Sequence, residues 1–77
     1  MYDKYPPRQI FLAGRNIVCE SAEDLKLLKE AQALEIDPAT VLQLSIGRLH
    51  LIKDVCQRYS LGKYQRLASQ AIARAGV

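Results

Sequence analysis

From Pro38 to Tyr59 the sequence reads as one helix with more apolar surface than a single neighbour can cover. Val41, Leu42, Leu44, Ile46, Leu49, Leu51, Ile52, Val55, Cys56 and Tyr59 recur through it. Projected at 100° per residue they sweep an arc of about 220°. Its start is marked by Asp37-Pro38, because a residue before proline avoids the helical region while proline suits the first helical position. A helix this apolar is either wrapped by its own chain or packed against its copy. In a chain of 77 residues one core supplies only about 3–5 kcal/mol, and small domains commonly offset the deficit by oligomerising. The expectation is a homodimer with Val41, Leu44, Leu49, Ile52 and Val55 at its interface.

The flanking segments complete a mainly α, small α+β domain: a short N-terminal β-ribbon or hairpin followed by three helices, helix two long and central. Residues 9–20 are rich in β-branched and aromatic types around Gly14-Arg15-Asn16, which fits either two strands joined at Ala13–Asn16 or one strand kinked at Gly14. A lone hairpin is marginal in water, so the segment must pack on helices or pair with a second chain. Ser21 and the acidic pair Glu23-Asp24 open helix one; Leu25, Leu27, Leu28, Ala31 and Leu34 carry its stripe over residues 22–34. Ser60-Leu61-Gly62 breaks the chain, and Leu61, Tyr64, Leu67, Ala68, Ala71, Ile72 and Ala75 make the apolar face of helix three, stopped by Gly76. Residues 1–8, with Tyr2, Tyr5 and Pro6-Pro7, read as a flexible N-terminal arm, leaving 9–77 as one domain.

Chemistry finds little to work with. Cys19 and Cys56 are the only cysteines and His50 the only histidine, one ligand short of a closed zinc site. The two cysteines read as buried, reduced thiols of a cytoplasmic protein. Gly62-Lys63 lacks the rest of a phosphate-binding loop, and no nucleophile-elbow pattern occurs. His50 and Asp54 stand one turn apart as a surface pair. Neither a signal peptide nor a membrane span is legible. The expectation is a non-enzymatic protein with no metal or cofactor and no membrane partner.

Charge is unevenly spread. The net charge is +3 overall, with the excess of cations in residues 36–77. Lys63, Arg66, Gln70 and Arg74 follow steps of three, four and four and form a row along helix three. Such a row can track a phosphate backbone with an affinity that falls as salt rises. It can equally be a solvated face that keeps a small protein soluble.

Residues 17–59 resemble the ribbon-helix-helix DNA-binding family. The resemblance rests on Ile17-Val18-Cys19-Glu20 as ribbon, Ala22-Glu23-Asp24-Leu25 opening the first helix and Ile36-Asp37-Pro38-Ala39-Thr40-Val41-Leu42 opening the second. It implies two chains that pair their ribbons and interlock their helices, with alternate ribbon side chains, here Asn16, Val18 and Glu20, turned toward a DNA groove. A helix-turn-helix arrangement over Ala31, Leu34, Ile36, Val41 and Leu44 is a competing pattern. The leading functional expectation is a dimeric DNA-binding regulator of transcription, with Lys63, Arg66 and Arg74 on phosphates and Arg15 and Asn16 as groove contacts. The alternative is a protein-interaction adaptor, chaperone or assembly factor that uses an exposed apolar helical face, with Ile46 and Leu51 at its margins.

Overall fold

The computed structural model describes residues 8–37, 39 and 43–76. The arm with Tyr2 and Tyr5, the helix start at Pro38, and Val41 and Leu42 lie outside the described residues.

The N-terminal segment is a hairpin of β1 (Gln9–Leu12) and β2 (Arg15–Val18), antiparallel, with Gln9 opposite Val18, Ile10 opposite Ile17, Phe11 opposite Asn16 and Leu12 opposite Arg15. Ala13 and Gly14 make the two-residue connection, both at positive φ (54° and 74°). That is the mirror-image backbone whose twist matches paired strands. The ladder continues past β1, where the Cys19 N–H donates to the Arg8 carbonyl at 2.7 Å. Strand alternation then sorts the side chains. Leu12, Ile17 and Cys19 are buried and Ile10 half-buried on the inner face; Gln9, Phe11, Asn16 and Val18 face outward and are exposed.

Helix α1 (Ala22–Ile36) opens on Ser21, whose Oγ accepts from the Asp24 N–H at 3.1 Å. It buries Leu27, Leu28, Ala31 and Leu34, with Leu25 packed at the margin. Two more helices follow among the described residues: α2 (Ile46–Arg58) and α3 (Gly62–Ala75). Each of the three packs against the other two, and β1 lies against α1.

Helix two is shorter than the sequence pattern implied. It starts at Ile46, capped by Ser45, whose Oγ accepts from the Arg48 N–H at 3.1 Å, and Gln43–Ser45 lie outside it. The 220° arc arose from running one helical projection across this break. Within α2 the buried residues are Leu49, Ile52, Val55 and Cys56, a stripe only about 120° wide. Their own chain covers that stripe. Leu49, Ile52 and Val55, expected at a seam between two copies, have no exposed surface within one chain, and Leu44 packs against the same core. One copy thus hides Leu49, Ile52 and Val55, while Ile46 and Leu51 of α2 stay exposed.

The α2–α3 junction turns through Tyr59–Leu61. Ser60 adopts a left-handed φ of 60°, and the Leu61 N–H returns to the Cys56 carbonyl at 2.8 Å. Leu61, Tyr64, Ala68 and Ala71 complete the core from α3. Removing a fully buried leucine or isoleucine from such a core costs about 2–5 kcal/mol.

Candidate functional site

The most connected polar group is Asp24, in the first turn of α1 and only 6% exposed. A carboxylate there complements the positive end of the helix dipole, but its partners come from elsewhere. Arg58 donates to Oδ1 at 3.0 Å and to Oδ2 at 3.4 Å, and the Tyr59 hydroxyl donates to Oδ2 at 2.8 Å. The Arg58 guanidinium foremost, with Tyr59 assisting against the cost of burial, holds the Asp24 carboxyl below the ordinary aspartate range. The Tyr59 oxygen in turn accepts from the Glu20 N–H at 2.9 Å. Arg15 completes the set by donating to the carbonyls of Tyr59 (2.9 Å) and Ser60 (3.3 Å), where unsatisfied carbonyls at a helix C-terminus attract cations. One cluster thus ties the hairpin, the start of α1 and the end of α2 together.

Two further ion-pair sets join the helices. Arg48 of α2 donates through Nε to Glu30 at 2.7 Å and through Nη1 to Glu23 at 2.8 Å, clamping α2 onto α1; its Nη2 is buried without a hydrogen-bond partner among the described residues. At the other end of α1, Glu35 accepts from Lys63 and, at 2.8 Å, from the Tyr64 hydroxyl. Lys63 first and Tyr64 second keep the Glu35 carboxyl below its ordinary range.

These contacts divide the cations expected to meet DNA. Arg15 is committed to helix-end carbonyls and Lys63 to Glu35. Asn16 donates to the Gln9 side chain at 3.0 Å across the hairpin. Arg66 and Arg74 remain exposed on α3 without an ion pair among the described residues, flanking exposed Gln70. The row on α3 is therefore present as an exposed surface, while Arg15 and Asn16 sit on the hairpin, Arg15 bonded to the junction just before α3.

Apolar exposure is concentrated elsewhere. Phe11 is 66% and Val18 64% exposed on the outer face of the hairpin. Their register makes them diagonal neighbours, since Phe11 faces Asn16 and Val18 faces Gln9, within reach of each other for side chains of this size. β2 also has an open edge. The ladder alternation turns the N–H and C=O groups of Asn16 and Val18 away from β1, and among the described residues neither has a backbone partner on that side. Ile36, Ile46 and Leu51 are exposed too, at the end of α1 and along α2.

Neither cysteine is poised for chemistry. Burial pushes the Cys56 thiol up to about 11 and raises that of Cys19, with the Asp24 charge adding to the latter. No group of three potential metal ligands occurs among the described residues, and none of the described helices is long and apolar enough to cross a membrane.

No protein-family model, curated protein or solved structure matches this chain. The site has to be judged on its own geometry.

Val18 is legible in the sequence as an outward ribbon position beside Asn16; what the sequence hid was that Phe11, which looks like ordinary strand core, lies beside it on that face. Only the register of the two-residue turn shows that they share the solvent side. The Asp24 cluster was hidden differently. Asp24 fits a capping position, and nothing in the local sequence links it to Arg58 and Tyr59, 34 and 35 residues away.

Proposed function

We propose that the chain is a non-enzymatic protein-interaction module that engages a partner protein through the outer face and open edge of its hairpin. The observation that carries this reading is the pairing of Phe11 and Val18, both about two-thirds exposed, on a strand pair whose β2 edge has no partner among the described residues. Large apolar side chains clustered beside free backbone donors and acceptors suit recognition of an extended segment, in which main-chain hydrogen bonds give affinity and side-chain contacts give selectivity. The helices act as the platform, and the Asp24 cluster fixes the hairpin on it.

A second reading keeps the DNA-binding regulator, acting as a dimer through its ribbon, and rests on Arg66, Gln70 and Arg74 standing exposed in a row on α3. It is the weaker of the two, because Arg15 and Lys63 already satisfy groups within the chain.

One experiment separates them. The full chain and a Phe11→Ser/Val18→Ser variant, both checked for native circular dichroism, are photo-crosslinked from position 16 in cells of the source organism. In parallel, both are titrated with random duplex DNA at rising salt. A protein module gives discrete crosslinked products that the double variant loses, and its DNA affinity is weak. A regulator gives affinity that falls steeply with salt, a slope that Lys63/Arg66/Arg74→Ala flattens and the hairpin variant leaves alone.

A further inference from the structure

The hairpin is attached to the helices differently from the way the helices are attached to one another. The three helices form a closed set of mutual contacts, whereas among the described residues the hairpin's backbone comes close to the helices only where β1 meets α1. Apart from its inward apolar side chains, β2 is held by polar contacts that converge on two adjacent residues of the α2–α3 junction. Arg15, at the start of β2, donates to the carbonyls of Tyr59 and Ser60. Glu20, just beyond its end, donates its N–H to the Tyr59 hydroxyl. Tyr59 therefore holds both ends of one strand, the first by its main chain and the second by its side chain. Asp24 anchors the same hydroxyl from α1.

We propose that the hairpin is a flap that opens from the helical platform as one unit, and that Tyr59 is its latch. Segments with few contacts to the rest of a domain open at lower free energy than the domain unfolds, in contiguous cooperative units. The hairpin meets that description, and its latch sits at a strained point. Ser60 holds a left-handed backbone that a residue with a side chain adopts only at a cost. Opening would lift Ile10, Leu12 and Ile17 away from the core while the contacts among α1, α2 and α3 persist. This inference needs no partner and does not depend on the docking role of the outer face; it concerns how that face is held.

Amide hydrogen exchange on the full chain tests it, in the regime where exchange reports opening equilibria. Three proteins are compared: the unaltered chain, Tyr59→Phe, and Leu49→Ala as a control that weakens the common core. Loss of the hydroxyl bonds in Tyr59→Phe should speed exchange of the β1–β2 ladder amides and of Cys19 by about tenfold. Because the lost bonds also lower global stability, core amides of α1, α2 and α3 should speed as well but stay the slower set. Arg15→Ala, which releases the other end of β2, should accelerate the hairpin amides in the same way. Leu49→Ala, which weakens a residue buried among the helices, should speed the core amides and leave the hairpin amides unchanged. The proposal is overturned if the hairpin amides of the unaltered chain are as protected as the helix core, or if Leu49→Ala accelerates hairpin and helices together. It is equally overturned if neither Tyr59→Phe nor Arg15→Ala changes hairpin exchange.

Discussion

Replacing Asp24 by alanine removes the carboxylate on which three elements converge, and the size of the loss can be worked from its contacts. The Tyr59 hydroxyl bond at 2.8 Å has a charged acceptor, and such bonds contribute about 1.5–3 kcal/mol. The Arg58 contacts add little, because that side chain is 54% exposed and water screens it. Removing a buried charge also recovers part of its desolvation cost. The net expectation is a loss of about 2 kcal/mol, against a total of roughly 4–12 kcal/mol for a domain of this length. That corresponds to a fall in Tm of about 8–15 °C. Asp24→Asn keeps one oxygen for Tyr59 and should lose about half as much. The sign of the pH dependence follows from the carboxyl's depressed folded value. Its contribution is fully present above the ordinary 3.8 of an aspartate and disappears as pH falls through the lower folded value. Urea unfolding followed by circular dichroism at pH 7 and again at pH 2.5 reads both effects. The gap between unaltered chain and Asp24→Ala should shrink in acid. A gap below about 0.5 kcal/mol at pH 7, or one of equal size at both pH values, would refute the argument that an ionised Asp24 secures the hairpin to the helices.

Other parts of the structure make separate predictions. Ile52→Ala should cost about 2–5 kcal/mol at any protein concentration, since Ile52 is buried within one chain; a cost that grows on dilution would place it at a seam between copies after all. Phe11→Ser and Val18→Ser should change the unfolding free energy, measured in urea, by less than about 0.5 kcal/mol each, because both side chains face solvent; larger losses would mean the outer face is covered. Cys56, with its thiol pushed up to about 11, should resist a disulfide reagent at pH 8 in the folded protein and react fully in urea; rapid reaction without denaturant would contradict its burial. In a carbon-13 titration, the Glu35 carboxyl should titrate below the ordinary 4.5 and move back toward it in Lys63→Met.

Element order was legible because local signals agreed with one another. Ser21 before Glu23-Asp24 gave the start of α1, Gly76 gave the end of α3, and the β-branched run broken at Gly14 gave the hairpin. The hairpin-plus-three-helix fold follows from these. The sequence pattern carries helix two unbroken from Asp37-Pro38 because that pair is a strong opening signal and Ser45 a quiet one. Apolar residues on both sides of Ser45 continue a plausible stripe, so a projection that assumes one uninterrupted helix finds an arc that no single helix presents. The dimer interface drawn from that arc loses that argument, because Leu49, Ile52 and Val55 are already covered by their own chain. Charge was legible as a row on α3 but not as availability. Which of Arg15, Lys63, Arg66 and Arg74 is already engaged depends on contacts 28 to 45 residues apart in the chain, and periodicity carries no information at that range. The outer face of the hairpin needed the register, which a shift of one residue would have reversed.

The turn at Ala13 has a consequence of its own. Its φ of 54° is the natural territory of a right-handed amino acid, so an L-alanine there works against its own stereochemistry. Chain assembled by peptide synthesis with D-alanine at this single position should close its hairpin more readily than the ribosomal product. Inverting one stereocentre, with no atom added or removed, would then make the protein firmer.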